Sequence, residues 1–250
     1  MKKKMFIMLA MLLTIGSMAA CSKKEKEPEP AVVEETEEPA PEPVEEEPEE
    51  VIPENQNLLT GLPDLTEEAI GKRPVAVRVN NIPDAMPQYG VEQADIIFEI
   101  PVEGDQTRFM ALYADYTTVP KICAIRSCRA YFPAISQGFD AFYVNWGIDE
   151  TMSEYIDALQ LDQYDGIYNA GGLFGRDQDR LDSGYSLEHT GYFDGTKFAS
   201  VVQEEGKRTD LADDKKDTAF VFNGLEEQVK PDGEACVDVN IDFGAQTASF

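Results

Sequence analysis

The residues of this 250-residue chain whose types and spacing could do chemistry fall into two clusters. The first is Arg126-Ser127-Cys128-Arg129, placed where a strand-like run hands over to a helix-like one. Unpaired N–H groups at a helix start favour anions, and guanidinium groups add forked recognition of carboxylate or phosphate. Arg108 and Arg78 lie on neighbouring strand-like runs, so an anion-binding site is one reading. The competing reading pairs each arginine with a local carboxylate such as Glu99 or Glu103, because acids outnumber bases more than two to one. The second cluster runs Arg176-Asp177-Gln178-Asp179-Arg180-Leu181-Asp182 and then Glu188-His189-Thr190. Arg176 and Arg180 would extend the anion site. His189, the sole histidine, could act as acid or base with Glu99 or Glu103. A lone histidine is more often a hydrogen-bonded structural residue. Asp177, Asp179 and Glu188 fit positions 1, 3 and 12 of a calcium loop, but Leu181 and Asp182 break positions 5 and 6. One histidine and scattered cysteines give no zinc spacing. No nucleophile elbow, phosphate-binding loop or dinucleotide fingerprint is present, so neither metal nor cofactor is expected.

These residues need a scaffold, and the pattern supplies one. Pro74 to Val79, Asp95 to Ile100, Phe109 to Tyr113 and Lys121 to Ile125 read as strands. The short link from Val102 to Gln106 makes an antiparallel hairpin of the second and third. A helical turn follows a Thr66 cap, and a helix is predicted over Tyr131 to Gln137, ended by Gly138. Ala141 to Trp146 returns as a strand. Ile148, Met152, Tyr155, Ile156 and Leu159 then recur at helical spacing. Residues 162–192 show no clear period and read as a long functional loop. A third helix is capped by Asp194, stapled by Phe193 and Phe198, turned inward at Ala199, Val201 and Val202, and stopped at Gly206. Strands reappear at Ala219 to Phe222, Cys236 to Ile241 and Thr247 to Phe250. The fold class is α/β, a layered sandwich with a mixed sheet and helices over 57–215. The start of a smaller β-rich domain is expected over 216–250, apparently truncated.

The N-terminus carries Lys2, Lys3 and Lys4, an apolar stretch from Met5 to Met18, and Ala19-Ala20 before Cys21. The stretch is too short to span a bilayer, so residues 1–20 read as a signal peptide and Met18-Ala19-Ala20-Cys21 as a lipobox with acylation at Cys21. Fourteen glutamates and recurrent prolines fill 22–56, so residues 21–56 read as a lipid-anchored, disordered, acidic stalk. Beyond it, 34 acids face 15 bases, and a nucleic-acid partner is disfavoured. Cys123, Cys128 and Cys236 are read as small buried hydrophobes with their pairing open.

Several stretches together carry a resemblance: Leu59-Thr60-Gly61-Leu62-Pro63, Arg73 to Val77 through Asn80-Asn81, Gln93 to Glu99, Thr107-Arg108-Phe109, Ile125 to Phe132, and Arg176 to Arg180 followed by Glu188-His189. The chain resembles the YerB-like lipoproteins, a bacterial family built on a domain of unknown function, DUF3048. The resemblance implies an N-terminal layered α/β domain and a smaller β-rich C-terminal one, and supplies no established activity. It also marks departures. Relatives carry a small residue in place of Cys128, an apolar one in place of Arg78, a histidine near Asn145-Trp146-Gly147, and Pro-His in place of Glu188-His189.

The expected role is an extracytoplasmic protein held on the cell membrane by its lipid, serving envelope maintenance. It would bind an anionic wall or small-molecule ligand, or an envelope protein, through Arg108, Arg126, Ser127, Arg129, Arg176 and Arg180. A wall-polymer hydrolase or transferase using Glu99, Glu103 and His189 is the catalytic alternative. A non-catalytic scaffold is the third.

Overall fold

The computed structural model describes residues 52–168, 170–217, 220–224, 238–244 and 247–249. The signal peptide, Cys21, nearly all of the stalk and Cys236 lie outside them.

Alternation of branched and aromatic residues builds the central sheet. Its strands are β1 (Val75–Asn80), β2 (Ile96–Pro101), β3 (Thr107–Tyr113), β5 (Phe142–Asn145) and β6 (Gln163–Asp165), in the order β2-β3-β1-β5-β6. β3 runs antiparallel to both β1 and β2, whereas β5 and β6 continue parallel to β1. The sheet is therefore mixed, and Val102 N–H closes the predicted hairpin onto Gln106 O at 2.8 Å. The second sheet is antiparallel, in the order β4-β8-β7: β4 (Lys121–Cys123), β7 (Phe174–Arg176) and β8 (Gly191–Asp194).

Each face of the central sheet has its own apolar filling. Val75, Val77, Val79, Phe142 and Val144 point toward the second sheet and α4 (Phe198–Glu204), where they meet Ile122, Phe193, Phe198 and Val202. Phe198 is fully buried with ring contacts to Phe142, Tyr164 and Phe193, and burial of such a side chain contributes about 2–3 kcal/mol. Ala76, Met110, Leu112 and Tyr143 point the other way, onto α1 (Tyr131–Gly138) and α2 (Glu150–Ala158) through Phe132, Met152 and Ile156. The layers are thus helices, five strands, then three strands with α4. α2 starts at Asp149, whose carboxylate accepts from the Met152 N–H at 3.0 Å.

Five expectations need correction. Residues 162–192 are largely ordered elements, β6, β7, α3 (Gln178–Asp182) and β8 among them. Each is only three to five residues long, too short for a period to register. Gly138 is the last residue of α1, and the left-handed turn falls on Asp140 (φ 53°). Asp194 caps no amide with its side chain; it binds the Thr196 hydroxyl at 2.6 Å and Lys197 at 2.7 Å, and a tight turn over Gly195–Lys197 leads into α4. Thr66 starts its turn without a side-chain cap. Toward the C-terminus, Phe220 to Phe222 form no strand, while Ala219 lies outside the described residues. β9 (Asn240–Asp242) and β10 (Thr247–Ser249) pair as an antiparallel ribbon.

Candidate functional site

The parallel strands β1, β5 and β6 all end at one rim of the central sheet, at Asn80, Asn145 and Asp165. Chain direction changes there: from β1 the chain builds outward through β2 and β3, and later on the other side through β5 and β6. Such a switch at the carboxyl ends of strands is where open α/β sheets place ligands.

β1 and β5 pair only over Val75–Val77 and Phe142–Val144. Beyond that the segment Ile125–Cys128 enters between them. Arg126 N–H donates to Arg78 O at 3.1 Å, Trp146 N–H to Arg126 O at 3.0 Å, and Cys128 N–H to Gly147 O at 3.0 Å. Ile125 N–H donates to Gly191 O in β8 at 2.8 Å, so the segment ties both sheets together. The Trp146-Gly147 turn is itself braced: Asp165 accepts from Gly147 N–H at 2.7 Å, Ile167 N–H at 2.8 Å and the Asn145 amide at 3.1 Å.

Four guanidinium groups converge on this segment. Arg78 and Arg108 share one face of the sheet, since Arg78 opposes Met110 and Arg108 opposes Asn80. Arg78 is fully buried over the Phe132 ring, 3.4 Å from its centroid, and donates to Phe109 O at 2.9 Å and Ser127 O at 3.3 Å. Arg108, 5% exposed, reaches the Ser127 carbonyl and hydroxyl, both at 3.4 Å. Arg129 donates to Ser127 Oγ at 3.0 Å and pairs with Glu103. Arg126 pairs with Glu188 at 2.7 Å. Among the described residues no carboxylate pairs with Arg78 or Arg108, and the Nε groups of Arg78, Arg108 and Arg126 are buried without an acceptor.

Burial disfavours the charged form of these groups. It pushes Arg78 down to about 9, the neighbouring Arg108 charge adding to the effect. Burial, then the charges of Arg129 and Arg126, push Arg108 down to about 10. Hydrogen bonds from Arg129 and Arg126 hold Glu103 and Glu188 below the usual carboxylate range.

The other predicted residues sit apart or serve the scaffold. Glu99 opposes Phe109, which puts it on the sheet face away from Arg108, where it accepts from Asn81 at 2.9 Å and Thr107 at 2.7 Å. His189 is buried, with Nδ1 3.0 Å from the Asn80 amide and Nε2 3.7 Å from Glu188; burial lowers its pKa below the ordinary value. Arg176 stacks on Trp146 at 4.1 Å and donates to Leu187 O at 2.6 Å. Gly191 permits that stack, since a Cβ there would stand 2.8 Å from the indole. Arg180 is buried with donors on the carbonyls of Ala85, Pro87 and His189. Asn80, the contact that orients His189, was not singled out from sequence; its place at a strand end beside Asn81 was the available signal. Cys123 and Cys128 are buried free thiols, as the reading of small hydrophobes expects.

The described residues contain no cluster of metal-ligating side chains, and no described helix is long and apolar enough to cross a membrane. A separate cavity of about 300 Å³, lined by Leu59, Pro74, Ala114, Phe139 and Leu211 among others, lies at the opposite end of β1.

Comparison with known proteins fits this arrangement. The chain is 39% identical over 120 residues to "Putative lipoprotein YerB" of Bacillus subtilis, which covers 47% of this chain and 35% of that one. The crystal structure of the YerB protein from Bacillus subtilis matches with a TM-score of 0.52 at 31% identity, over 61% of this chain and 51% of that chain. The chain thus spans about a third to a half of the length of these relatives. Residues 59–208, which hold the whole rim and its arginines, match the family described as "Protein of unknown function (DUF3048) N-terminal domain", and the chain belongs to that family.

Proposed function

We propose that this protein is an extracytoplasmic lipoprotein, anchored through Cys21, that captures an anionic ligand at the rim of its central sheet. The observation that carries the reading is Arg108: a nearly buried guanidinium, held beside Ser127 and between two other arginines, without a carboxylate partner among the described residues. An uncompensated buried charge is costly, and a chain of net charge −27 has acids to spare for neutralising it. Leaving it open suits a site completed by a ligand. The basic start, short apolar stretch and Cys21 support the anchor, as does the likeness to a protein named as a lipoprotein. A role in wall or surface maintenance follows from that location. Catalysis is less well supported, because Glu103 is held ionised by Arg129 and His189 is occupied by Asn80.

The test is thermal unfolding of the full chain in detergent with phosphate, sulfate or citrate at constant ionic strength. A ligand at a hundredfold excess over its dissociation constant stabilises by ~2.7 kcal/mol. At least one anion should raise Tm, and Arg126→Glu with Arg129→Glu should abolish the rise. If no anion raises Tm, the reading fails. Loss of radiolabelled fatty-acid incorporation in Cys21→Ala is the expected result for the anchor.

A further inference from the structure

The charge and donor arrangement around Ser127 say more than that an anion binds. We infer that the site takes a phosphomonoester in its dianionic form, with Arg108 as the residue that selects it; this rests on the anion-binding reading above. Among the described residues, these four guanidinium groups meet two carboxylates, Glu103 and Glu188. Those two carboxylates are more than half exposed and engage the outer pair, Arg129 and Arg126. The inner pair, Arg78 and Arg108, is left with its charge unmatched, so the surplus at the rim is about two. A single carboxylate or a phosphodiester brings one negative charge, whereas a phosphomonoester brings nearly two at neutral pH.

The donors also suit a tetrahedral group with several oxygens. Arg108 and Arg129 approach the Ser127 hydroxyl from two directions, at 3.4 and 3.0 Å. The N–H groups of Ser127, Arg129 and Ala130 donate to no group among the described residues, and the last two stand at the start of α1, an eight-residue helix. Free N–H groups at a helix start favour phosphate. Arg108 is the second observation: 5% exposed, it has no carboxylate partner among the described residues and only 3.4 Å contacts to Ser127. Among the described residues, acidic side chains pair with the two outer arginines and not with the inner two.

The experiment is calorimetric titration of the full chain in detergent with glycerol 3-phosphate, dimethyl phosphate, sulfate and malonate at constant ionic strength, at pH 5 and pH 7. A phosphomonoester has its second pKa near 6, so its affinity should rise about tenfold from pH 5 to pH 7. Sulfate is a dianion throughout, and its affinity should stay constant. That control covers the groups around the site that also titrate: Glu103 and Glu188, held below the usual carboxylate range by Arg129 and Arg126, His189, lowered by burial, and Tyr131 and Cys128, raised by burial. Dimethyl phosphate should bind at least tenfold more weakly than glycerol 3-phosphate at pH 7. Arg108→Gln should lose tenfold or more in affinity for glycerol 3-phosphate without a fall in the Tm of the free protein. Arg108→Lys, which keeps the charge without the fork, should recover only part.

Malonate binding as tightly as glycerol 3-phosphate would overturn the phosphate assignment and leave the anion site standing. Dimethyl phosphate binding equally well would overturn the dianion. Unchanged affinity in Arg108→Gln would remove Arg108 from the site. Binding of none of the four would take down both this inference and the anion site.

Discussion

Two arginines, one just ahead of β1 and one within it, are satisfied in opposite ways. Arg73, just ahead of β1, is 2% exposed and meets acids on both sides: Asp162 at 2.6 Å and Asp140 at 3.4 Å, with the carbonyls of Asp140 and Arg208 at 2.7 and 3.0 Å. Those acids are themselves tied by Arg208 and Lys207. Five residues on, Arg78 is equally buried, yet it has only carbonyls and an aromatic face, and beside it Arg108 has less. Each arginine lies over a ring, Phe142 for Arg73 and Phe132 for Arg78, so the apolar setting is matched and the acids make the difference. One end of the strand is closed by ion pairs as a structural joint. The other end holds buried positive charge with no acid paired to it among the described residues.

The largest expected effect comes from breaking the closed end. Arg73→Met leaves two half-buried aspartates short of a partner and should cost ~3–5 kcal/mol in urea unfolding. An effect below about 1 kcal/mol would erase the contrast. At the open end Arg108→Met removes a desolvated charge that pairs with no acid among the described residues. It should leave stability unchanged or raise it by about 1–2 kcal/mol, read in the same assay without added anions.

Acid titration sharpens the comparison further. Burial raises the pKa of Asp140 and Asp162, but hydrogen bonds and charge from Arg208, Arg73 and Lys207 outweigh it and hold both below 3.8. A carboxylate with a depressed folded pKa stabilises above its unfolded pKa, and that stability is lost as pH falls below it. Stability should therefore drop as pH falls below about 3.8, and Asp162→Asn should flatten this limb. The smallest effect belongs to the outer pair at the rim. Glu103 is 65% exposed, so Glu103→Gln should change stability by no more than ~0.5 kcal/mol while freeing Arg129 and tightening anion binding.

Much of this was legible in the chain, for reasons that differ by element. The four early strands are legible as short runs of branched and aromatic residues, and α2 shows its period directly, because one of its faces lies against a core. The cluster Arg126 to Arg129 was legible from residue type and from its place before a helix. What sequence could not give is register. Glu99 and Arg108 are nine residues apart and look like partners, yet the β2–β3 pairing sets Glu99 opposite Phe109 and so on the other face. A slip of one residue would have reversed that. Arg176 and Arg180 look like further ligand groups in sequence. Only the packing shows that Trp146 and three carbonyls occupy them.

The insertion of Ile125–Cys128 between the ends of β1 and β5 has a kinetic consequence. Hydrogen bonds run from this segment to Arg78, Trp146, Gly147 and Gly191, so it is held on both flanks as a strand is. The N–H groups of Ile125, Arg126 and Cys128 should accordingly exchange with solvent deuterium as slowly as those of β1. For the anion capture proposed above, a surface already fixed in place would have no closing step to wait for, and the association rate would be set by diffusion and long-range charge. The net charge of −27 repels an anion at a distance, against the close-range attraction proposed for the rim. Added salt screens the distant repulsion first, so the ligand should arrive faster as ionic strength rises from ~10 mM toward ~100 mM, while its dissociation also quickens.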